Sequence, residues 1–404
     1  MVKRVDAPQR GALQGVRVVH ASMSIAGPFA AALMADMGAD VIWVESAKAM
    51  DITRYGPGMA SQLDRRNQRT IALNIPTPAG KEIFLRLIRE TDIFIEASRG
   101  GQYRKWGLTD EVLWEVNPRL VIVHISGFGQ TGDNSYTGRA SYDPIAQAFG
   151  GLMSMNGLPG TRPAPAEVSI ADYYTGFLAA YSALAAYIRA QSTGEGDSID
   201  VAQYEAILRC QSGWPLDSWN HTERVYRRGM GNNNNAGFNS YRCGDGKEVY
   251  IVLLGVGVVK AALPIFGFTY GTDEFPASGS YKLDTRGGQK LEAAIEDFCR
   301  QRTAREVEEI LRSAGVPCSM LMNHEMMPDH PHFLARETIT RWQTVDGQSI
   351  TGQNIVPKLK NNPGHIWRGC PTIGMDTEDI LAEAGFSARE IASFYEKNII
   401  KKGV

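Results

Sequence analysis

Few side chains in this sequence could carry covalent or metal chemistry, and most of their patterns fail on spacing. Gly127-Phe-Gly129-Gln-Thr-Gly132 has the spacing of a dinucleotide-binding loop. Such a loop works only where a helix starts on it, so that the helix N-terminus meets a pyrophosphate. Here the chain runs on as DNSYTGRASYDP, a succession of turn formers, so the loop is read without a cofactor and NAD is rejected. His324, Glu325, Asp329, His330 and His332 crowd into HEMMPDHPH, but Pro328 stands where a second zinc-binding histidine belongs. Pro328 and Pro331 would also interrupt a ligand-bearing helix, so this stretch is read as a solvated connector with no metal. His20 and His124 fall in or beside apolar runs and are read as packed, hydrogen-bonded residues. There is no GxSxG elbow and no cysteine with a family-type histidine signature. A carboxylate remains. Asp172, in SIADYYTG, opens a long apolar helix. An Asp there is ordinarily an N-cap or first-turn residue favoured by the helix dipole, and alone it declares no catalysis.

The elements that must position these residues alternate along the first half of the chain. Val16–Val19, Val41–Val44, Ile71–Leu73, Asp92–Ala97 and Leu120–Ile125 read as strands. Between them lie an apolar helix opened by Pro28 and stopped at Gly38, an amphipathic helix after Thr77–Pro78, and a short helix near Asp110–Val116. Near-continuous apolar strands separated by helices indicate a parallel sheet buried on both faces, hence a Rossmann-like open sheet. Ala171–Ala190 is the longest helical stretch and leads through STGEGDS to the strand SIDVA. From Trp214 the chain becomes polar and Gly/Asn-rich (WNHTERVYRRGMGNNNNAGFN), a linker or active-site loop. A hairpin turning at Gly244–Lys247 follows, then helices near 289–301 and 303–314, the second capped by Thr303. Residues 225–325 read as a smaller domain, and a second hairpin turns at Asp346–Gly347.

Composition narrows the partners. In 404 residues, 42 Lys+Arg balance 44 Asp+Glu, which argues against a nucleic-acid or anionic-membrane surface. No run reaches the ~20 apolar residues of a membrane span, and MVKRVDAPQRGALQG lacks the apolar core of a secretory signal. The five cysteines are odd in number, widely spaced and never in CxxC, which fits reduced thiols and a cytoplasmic protein.

A resemblance emerges from the order of several segments. Ser24-Ile25-Ala26-Gly27-Pro28, GADVIWVE, RRNQRTIALNI, DIFIEA, NPRLVIVHISGFGQTG, ASYDPIAQAFGG, IADYYTG, TGEGDSIDVAQYEA and KNNPGHIWRGCPTIGMDTEDIL are collinear nearly end to end. Together they resemble the class III CoA-transferases, the CaiB/BaiF family, and among them the carnitine (crotonobetainyl-CoA) type, with the bile-acid type next. The resemblance implies an α/β fold: a Rossmann-like large domain from residues 1–224 and 326–404, a smaller inserted α/β domain at 225–325, and an interlocked homodimer. It also implies a reaction in which CoA, a substrate rather than a tightly bound cofactor, moves between an acyl-CoA and a small carboxylic acid.

The same resemblance assigns roles. Asp172 becomes the nucleophile, passing through an aspartyl–acyl anhydride and an aspartyl-CoA thioester, and a carboxylate at a helix start is expected to stay ionised. Backbone N–H groups of Ser24, Ile25 and Ala26 become oxyanion donors, and Tyr142 lines the acyl site. Arg99, Arg104 and Lys105, with Arg69 and its neighbours Arg65 and Arg66 as weaker candidates, become partners of the CoA phosphates. Trp106 replaces one family arginine, and RASYD (139–143) has no histidine, which disfavours racemase chemistry. GMGNNNNAGFN replaces the glycine run that closes over the nucleophile in formyl-CoA-type members. Trp214, Trp219 and Tyr226 are candidates for cation–π contact with a trimethylammonium, or for packing a domain junction.

Overall fold

The computed structural model describes residues 10–55, 59–221, 227, 229 and 234–402. They form two compact units, one of residues 1–153, 165–222 and 334–404, the other of 154–164 and 223–333. The strands of the larger unit are β1 (Arg17–Ser22), β2 (Asp40–Ser46), β3 (Arg69–Leu73), β4 (Ile93–Ala97), β5 (Val121–Ser126) and β6 (Asp197–Ala202). The smaller unit holds β7 (Phe238–Arg242), β8 (Glu248–Val252) and β9 (Cys318–Met320). Back in the larger unit come the hairpin β10 (Ile339–Gln343) and β11 (Ser349–Gln353), then β12 (Ile400–Lys401).

The main sheet has the order β12-β3-β2-β1-β4-β5-β6, with β1 to β6 parallel and β12 antiparallel on β3. Apolar side chains point to both faces of β1, β4 and β5 and are buried on both, as a helix-covered parallel sheet requires. The chain winds outward one way from β1 to β3 and the other way from β4 to β6. The order therefore reverses between β1 and β4, and a crevice opens at their carboxyl ends, where open α/β sheets bind ligands. This is the mixed α/β architecture that the alternation of apolar runs indicates.

Helix α1 (Ala26–Asp36) leaves the end of β1 and packs against the 24-residue helix Ile170–Thr193, the long helix. Pro28 is the third helical residue rather than the first, still within the turn whose N–H groups lack helical partners. Small residues let the two helices approach closely. The buried side of the long helix carries Ala171, Thr175, Gly176, Ala179, Ala180 and Ala183. A Cβ on Gly176 would fall 2.7 Å from the Phe29 ring and 2.9 Å from the Ala26 carbonyl oxygen. The opposite face leaves Phe177, Tyr181 and Ile188 exposed.

The smaller unit is a three-stranded antiparallel sheet, β7-β8-β9, under the helices Arg286–Arg300 and Ala304–Ser313. Thr303 and Glu306 form the capping box at the start of the second helix. Two of the three histidines of HEMMPDHPH, His324 and His332, are exposed on a connector, although Pro331 opens a five-residue helix there instead of breaking one. Among the described residues no helix is long and apolar enough to cross a membrane.

Candidate active site

Asp172 sits in the first turn of the long helix, 7% exposed, on the wall of a cavity of about 290 Å³ at the carboxyl ends of β1, β4 and β5. Met23, Ser24, Ala26, Arg99, Ser141 and Tyr142 share that wall. The long helix is not capped by its own preceding residue, since Ser169 is left-handed (φ 46°) and makes no capping bond. Asp143 supplies the cap from another segment: its Oδ1 accepts from the N–H groups of Ala171 (2.6 Å) and Asp172 (3.2 Å). Gln147 donates to Asp143 Oδ2 at 2.6 Å and fixes that carboxylate.

The nucleophile candidate is held by one side chain. Gln203, 31 residues further on, donates from Nε2 to Asp172 Oδ1, while its Oε1 accepts from Ser141 Oγ at 3.2 Å. The second contact fixes which end of the amide faces the carboxylate. Burial, then the neighbouring charge of Asp143, pushes the Asp172 pKa up to about 7 against the pull of Gln203. The expectation that a helix start keeps this carboxylate ionised is therefore corrected. Asp143 already occupies the positive end of the helix and repels a second anion.

Two of the expected oxyanion donors fit better than the third. Ser24 stands at φ 62°, and its N–H donates to Asp51 Oδ2 at 3.2 Å, so that amide is already engaged. Ala26 begins α1, and the N–H groups of a first helical turn have no partner within the helix. Ala26 thus brings the donor end of α1 to the cavity wall, and Ser24, on the other side of Ile25, frames it. Tyr142 precedes the helix Asp143–Phe149 and is 61% exposed on the cavity rim.

The candidate cations separate. Arg99 lines the Asp172 cavity, Arg104 lines a different, polar cavity of about 700 Å³ beside Glu96, Asp110 and His124, and Lys105 is exposed on the short helix Gln102–Lys105. Arg69 does not serve as a phosphate partner. It is 1% exposed, and its guanidinium is saturated by Asp40 (3.0 Å) and Glu383 (2.9 Å). Arg65 and Arg66 are buried likewise, against Asp51 (2.9 Å) and Asp36 (2.6 Å). Sequence reasoning overlooked Lys48, which with Trp43, Tyr103 and Trp106 lines a mostly apolar cavity of about 240 Å³ at the ends of β1 to β4. Met23, Ala97 and Ser98 line both this cavity and that of Asp172.

The profile of CoA-transferase family III matches residues 13–377. The chain belongs to CoA-transferase family III. It is similar in structure to a CaiB/BaiF family protein from Brucella suis, with TM-score 0.80 and 26% identity over 93% of this chain and 100% of that one. The Mycobacterium tuberculosis protein Rv3272 shares the fold at TM-score 0.77 and 21% identity, over 91% of this chain and 99% of that one. The protein is thus a CoA-transferase.

Most other features of this CoA-transferase fall away from the site, although Gly127, the first glycine of GFGQTG, lines the Asp172 cavity. Gly129 and Gln130 of the glycine-rich loop donate their N–H groups to Ser126 Oγ (2.8 Å) and Asp200 Oδ2 (2.7 Å), and only the four-residue helix Asn134–Thr137 follows. Trp214 and Trp219 lie on the helix Trp214–Asn220, neither lining the Asp172 cavity. Tyr226 and residues 230–233 lie outside the described residues. His20 is stacked on Trp43 and bonded to Gln68, and His124 is bonded to Glu96 (2.7 Å) and Asp110 (2.9 Å). Both therefore take packed, hydrogen-bonded positions in strands.

Proposed function

We propose that Asp172 is the covalent nucleophile of this CoA-transferase. The observation that carries the proposal is a buried carboxylate on a cavity wall, held at one oxygen by Gln203 and pushed to a pKa of about 7. Ionised Asp172 attacks the thioester carbonyl through the oxygen that Gln203 leaves unbound. The oxyanion of the tetrahedral adduct faces the Ile25 and Ala26 N–H groups, and its collapse expels the CoA thiolate and leaves a mixed anhydride. The thiolate attacks the Asp172 carbonyl carbon, releasing the donor acid as carboxylate and leaving an aspartyl-CoA thioester. An acceptor carboxylate attacks that thioester, and the two steps run in reverse to give the new acyl-CoA and free Asp172. The free energy of the broken thioester is held first in the anhydride and then in the aspartyl-CoA thioester, so the scheme draws on no ATP, metal or redox group. Burial keeps water from the anhydride.

CoA is assigned to the paired cavities with its thioester beside Asp172 and its nucleotide end toward the half-buried Trp106; Trp43, already covered by His20, Arg54 and Arg65, and the buried Tyr103 only back that wall. Arg99, Arg139 and Lys48 are the cations on those walls; Arg99 and Lys48 are proposed to meet its phosphates, with Arg104 and Lys105 flanking, while Arg139 donates from Nε to the Ser135 carbonyl at 2.6 Å. The exposed stripe Phe177, Tyr181 and Ile188 supports an association with a second copy, the homodimer that the sequence resemblance implies. A cytoplasmic setting agrees with the reduced thiols.

The acid pair suggested by that resemblance is carnitine with γ-butyrobetaine or crotonobetaine; bile acids or other carboxylic acids are the alternative. Trp214 and Trp219, the aromatic candidates for holding a trimethylammonium, do not line the Asp172 cavity, so the choice rests on the resemblance. A racemase is disfavoured because the cavity wall carries no histidine among the described residues. Mass spectrometry after incubation with acyl-CoA and hydroxylamine should find the modification on Asp172, and Asp172→Ala should abolish exchange while still binding CoA. Turnover by that variant refutes the proposal. A panel of acceptor acids against one acyl-CoA then settles the acid.

A further inference from the structure

We infer that the buried ion pair Asp51–Arg65 is a positioning device that sets the oxyanion loop opposite Asp172. The inference rests on the proposal that Asp172 is acylated. It begins with strain. Ser24, between the end of β1 and α1, holds φ 62°, a left-handed conformation that costs a non-glycine residue about 1 kcal/mol or more and persists only where its surroundings over-determine it. Both backbone polar groups of Ser24 are gripped by the pair. Its N–H donates to Asp51 Oδ2 (3.2 Å), and its carbonyl oxygen accepts from Arg65 Nη2 (2.9 Å). The same Nη2 donates to the same Oδ2 at 2.9 Å, closing a three-membered ring of contacts.

The clamp is rigid on its far side as well. Asp51 Oδ1 accepts from both the N–H and the Oγ1 of Thr53 at 2.9 Å, and the Arg65 guanidinium lies 4.5 Å from the centre of the Trp43 ring. The two side chains are 3% and 0% exposed. A buried pair of this kind adds little net stability over apolar residues of the same size, because desolvation offsets the attraction. What it supplies here is direction. Ser24 and Ala26, one on either side of Ile25, and Ile52, next to Asp51, all line the Asp172 cavity. A loop released from the clamp would relax toward φ below zero and turn the Ile25 and Ala26 donors away. Neither clamp residue lines the Asp172 cavity, so both act on it through the loop; Asp51 does line the neighbouring cavity of Lys48 and Trp106, so CoA affinity is read apart from acylation.

The test compares Asp51→Ala and Asp51→Asn with Asp36→Asn, which weakens the largely buried Asp36–Arg66 pair without touching Ser24. Acylation of Asp172 is timed by rapid quench per folded site, with the folded fraction from circular dichroism, and CoA affinity is measured by calorimetry. We expect Asp51→Ala to slow acylation ~100-fold, the size of a lost oxyanion donor. Asp51→Asn, which keeps an oxygen for the Ser24 N–H, should recover part of that rate. CoA affinity should change far less than acylation in both, and loss of the Asp51 charge from the neighbouring cavity wall should not weaken it. Asp36→Asn should lower stability and leave the per-site rate alone. Acylation at the unsubstituted rate in folded Asp51→Asn, or an equal loss in Asp36→Asn, overturns the inference. Its failure is distinct from that of the nucleophile assignment, which falls only if Asp172→Ala still turns over.

Discussion

Asp143→Asn tests the electrostatics of the site directly. Asp143 Oδ1 lies 3.2 Å from the amide nitrogen of Asp172, which places the two carboxylates roughly 5–7 Å apart. At an effective dielectric of ~20, a like charge at about 6 Å is worth about 2.8 kcal/mol, or about two pKa units. Burial is the larger cause of the raised Asp172 pKa and remains in the variant, so the value should fall from about 7 to roughly 5–6. The substituted side chain keeps an oxygen for the Ala171 and Asp172 N–H groups, so the cap survives. Its new amide nitrogen meets Gln147 Nε2, a donor facing a donor, at a cost of about 1 kcal/mol of stability. Single-turnover acylation by an acyl-CoA, followed from pH 5 to 9, reads the ionised fraction. In the unsubstituted enzyme the rate should rise with pH to a midpoint near 7, and in Asp143→Asn the limb should move about 1–2 units toward acid. At pH 6 roughly one site in ten is ionised in the first and more than half in the second, so the variant should acylate about fivefold faster there. At pH 9 it should gain nothing. An acid limb that stays put in folded Asp143→Asn would refute the assignment of Asp143 as the repelling charge.

Asp172→Asn should stabilise the fold at pH 8. A carboxyl whose folded pKa lies above its unfolded value of 3.8 binds its proton more tightly when folded, so its ionisation costs stability between about pH 4 and 7. The neutral amide escapes a penalty of roughly 2–4 kcal/mol, and urea titrations at pH 8 and 3.5 should show the gain only at the first. Arg69→Met should lose roughly 1–3 kcal/mol, because Asp40 and Glu383 lose one guanidinium and keep Arg17 (3.0 and 3.6 Å), while its folded fraction binds CoA with unchanged affinity by calorimetry. His124→Ala should be comparably destabilising at neutral pH. Burial pulls the His124 pKa down, but Asp110 and Glu96 outweigh it and raise it to about 10, so the imidazolium stabilises fully below pH 6.5 and is lost as pH rises through 10. Thermal melts from pH 7 to 11 should therefore converge for the variant and the parent protein.

The fold was legible wherever one face-independent rule decided it. VIWV, DIFIEA and LVIVHI are apolar at consecutive positions, which only a sheet covered on both sides accommodates, and each became a central strand. Asp172 was visible as an acidic residue in a first helical turn, but its environment was not. Asp143 and Gln203 stand 29 and 31 residues away in sequence, with nothing local to mark them as partners. The sign of the Asp172 shift was misjudged for that reason: a dipole argument applies to an uncapped helix end, and this one is capped by another carboxylate. Arg69 was misread because a cation after a polar turn looks solvent-facing in sequence. Its burial depends on Glu383, 314 residues on.

On the proposed mechanism, the raised pKa of Asp172 also bears on which way its anhydride would break. The CoA thiolate can attack either carbonyl of the mixed anhydride. Attack at the acyl carbon expels Asp172 and returns the starting thioester; attack at the Asp172 carbonyl carbon expels the donor acid and moves the reaction on. The weaker base is the better leaving group. An ordinary carboxylic acid has a pKa of about 4–5, below the value of about 7 that burial and Asp143 impose on Asp172. The surroundings that make Asp172 a stronger nucleophile thus make it the poorer leaving group, and both effects favour CoA resting on the enzyme. Gln203 acts in the opposite sense by stabilising the anion, so the partition is set by the balance of the two contacts. Removing the Asp143 charge should shift that balance toward return, lowering the share of enzyme trapped by borohydride as the aspartyl-CoA thioester even at a pH where acylation itself is faster.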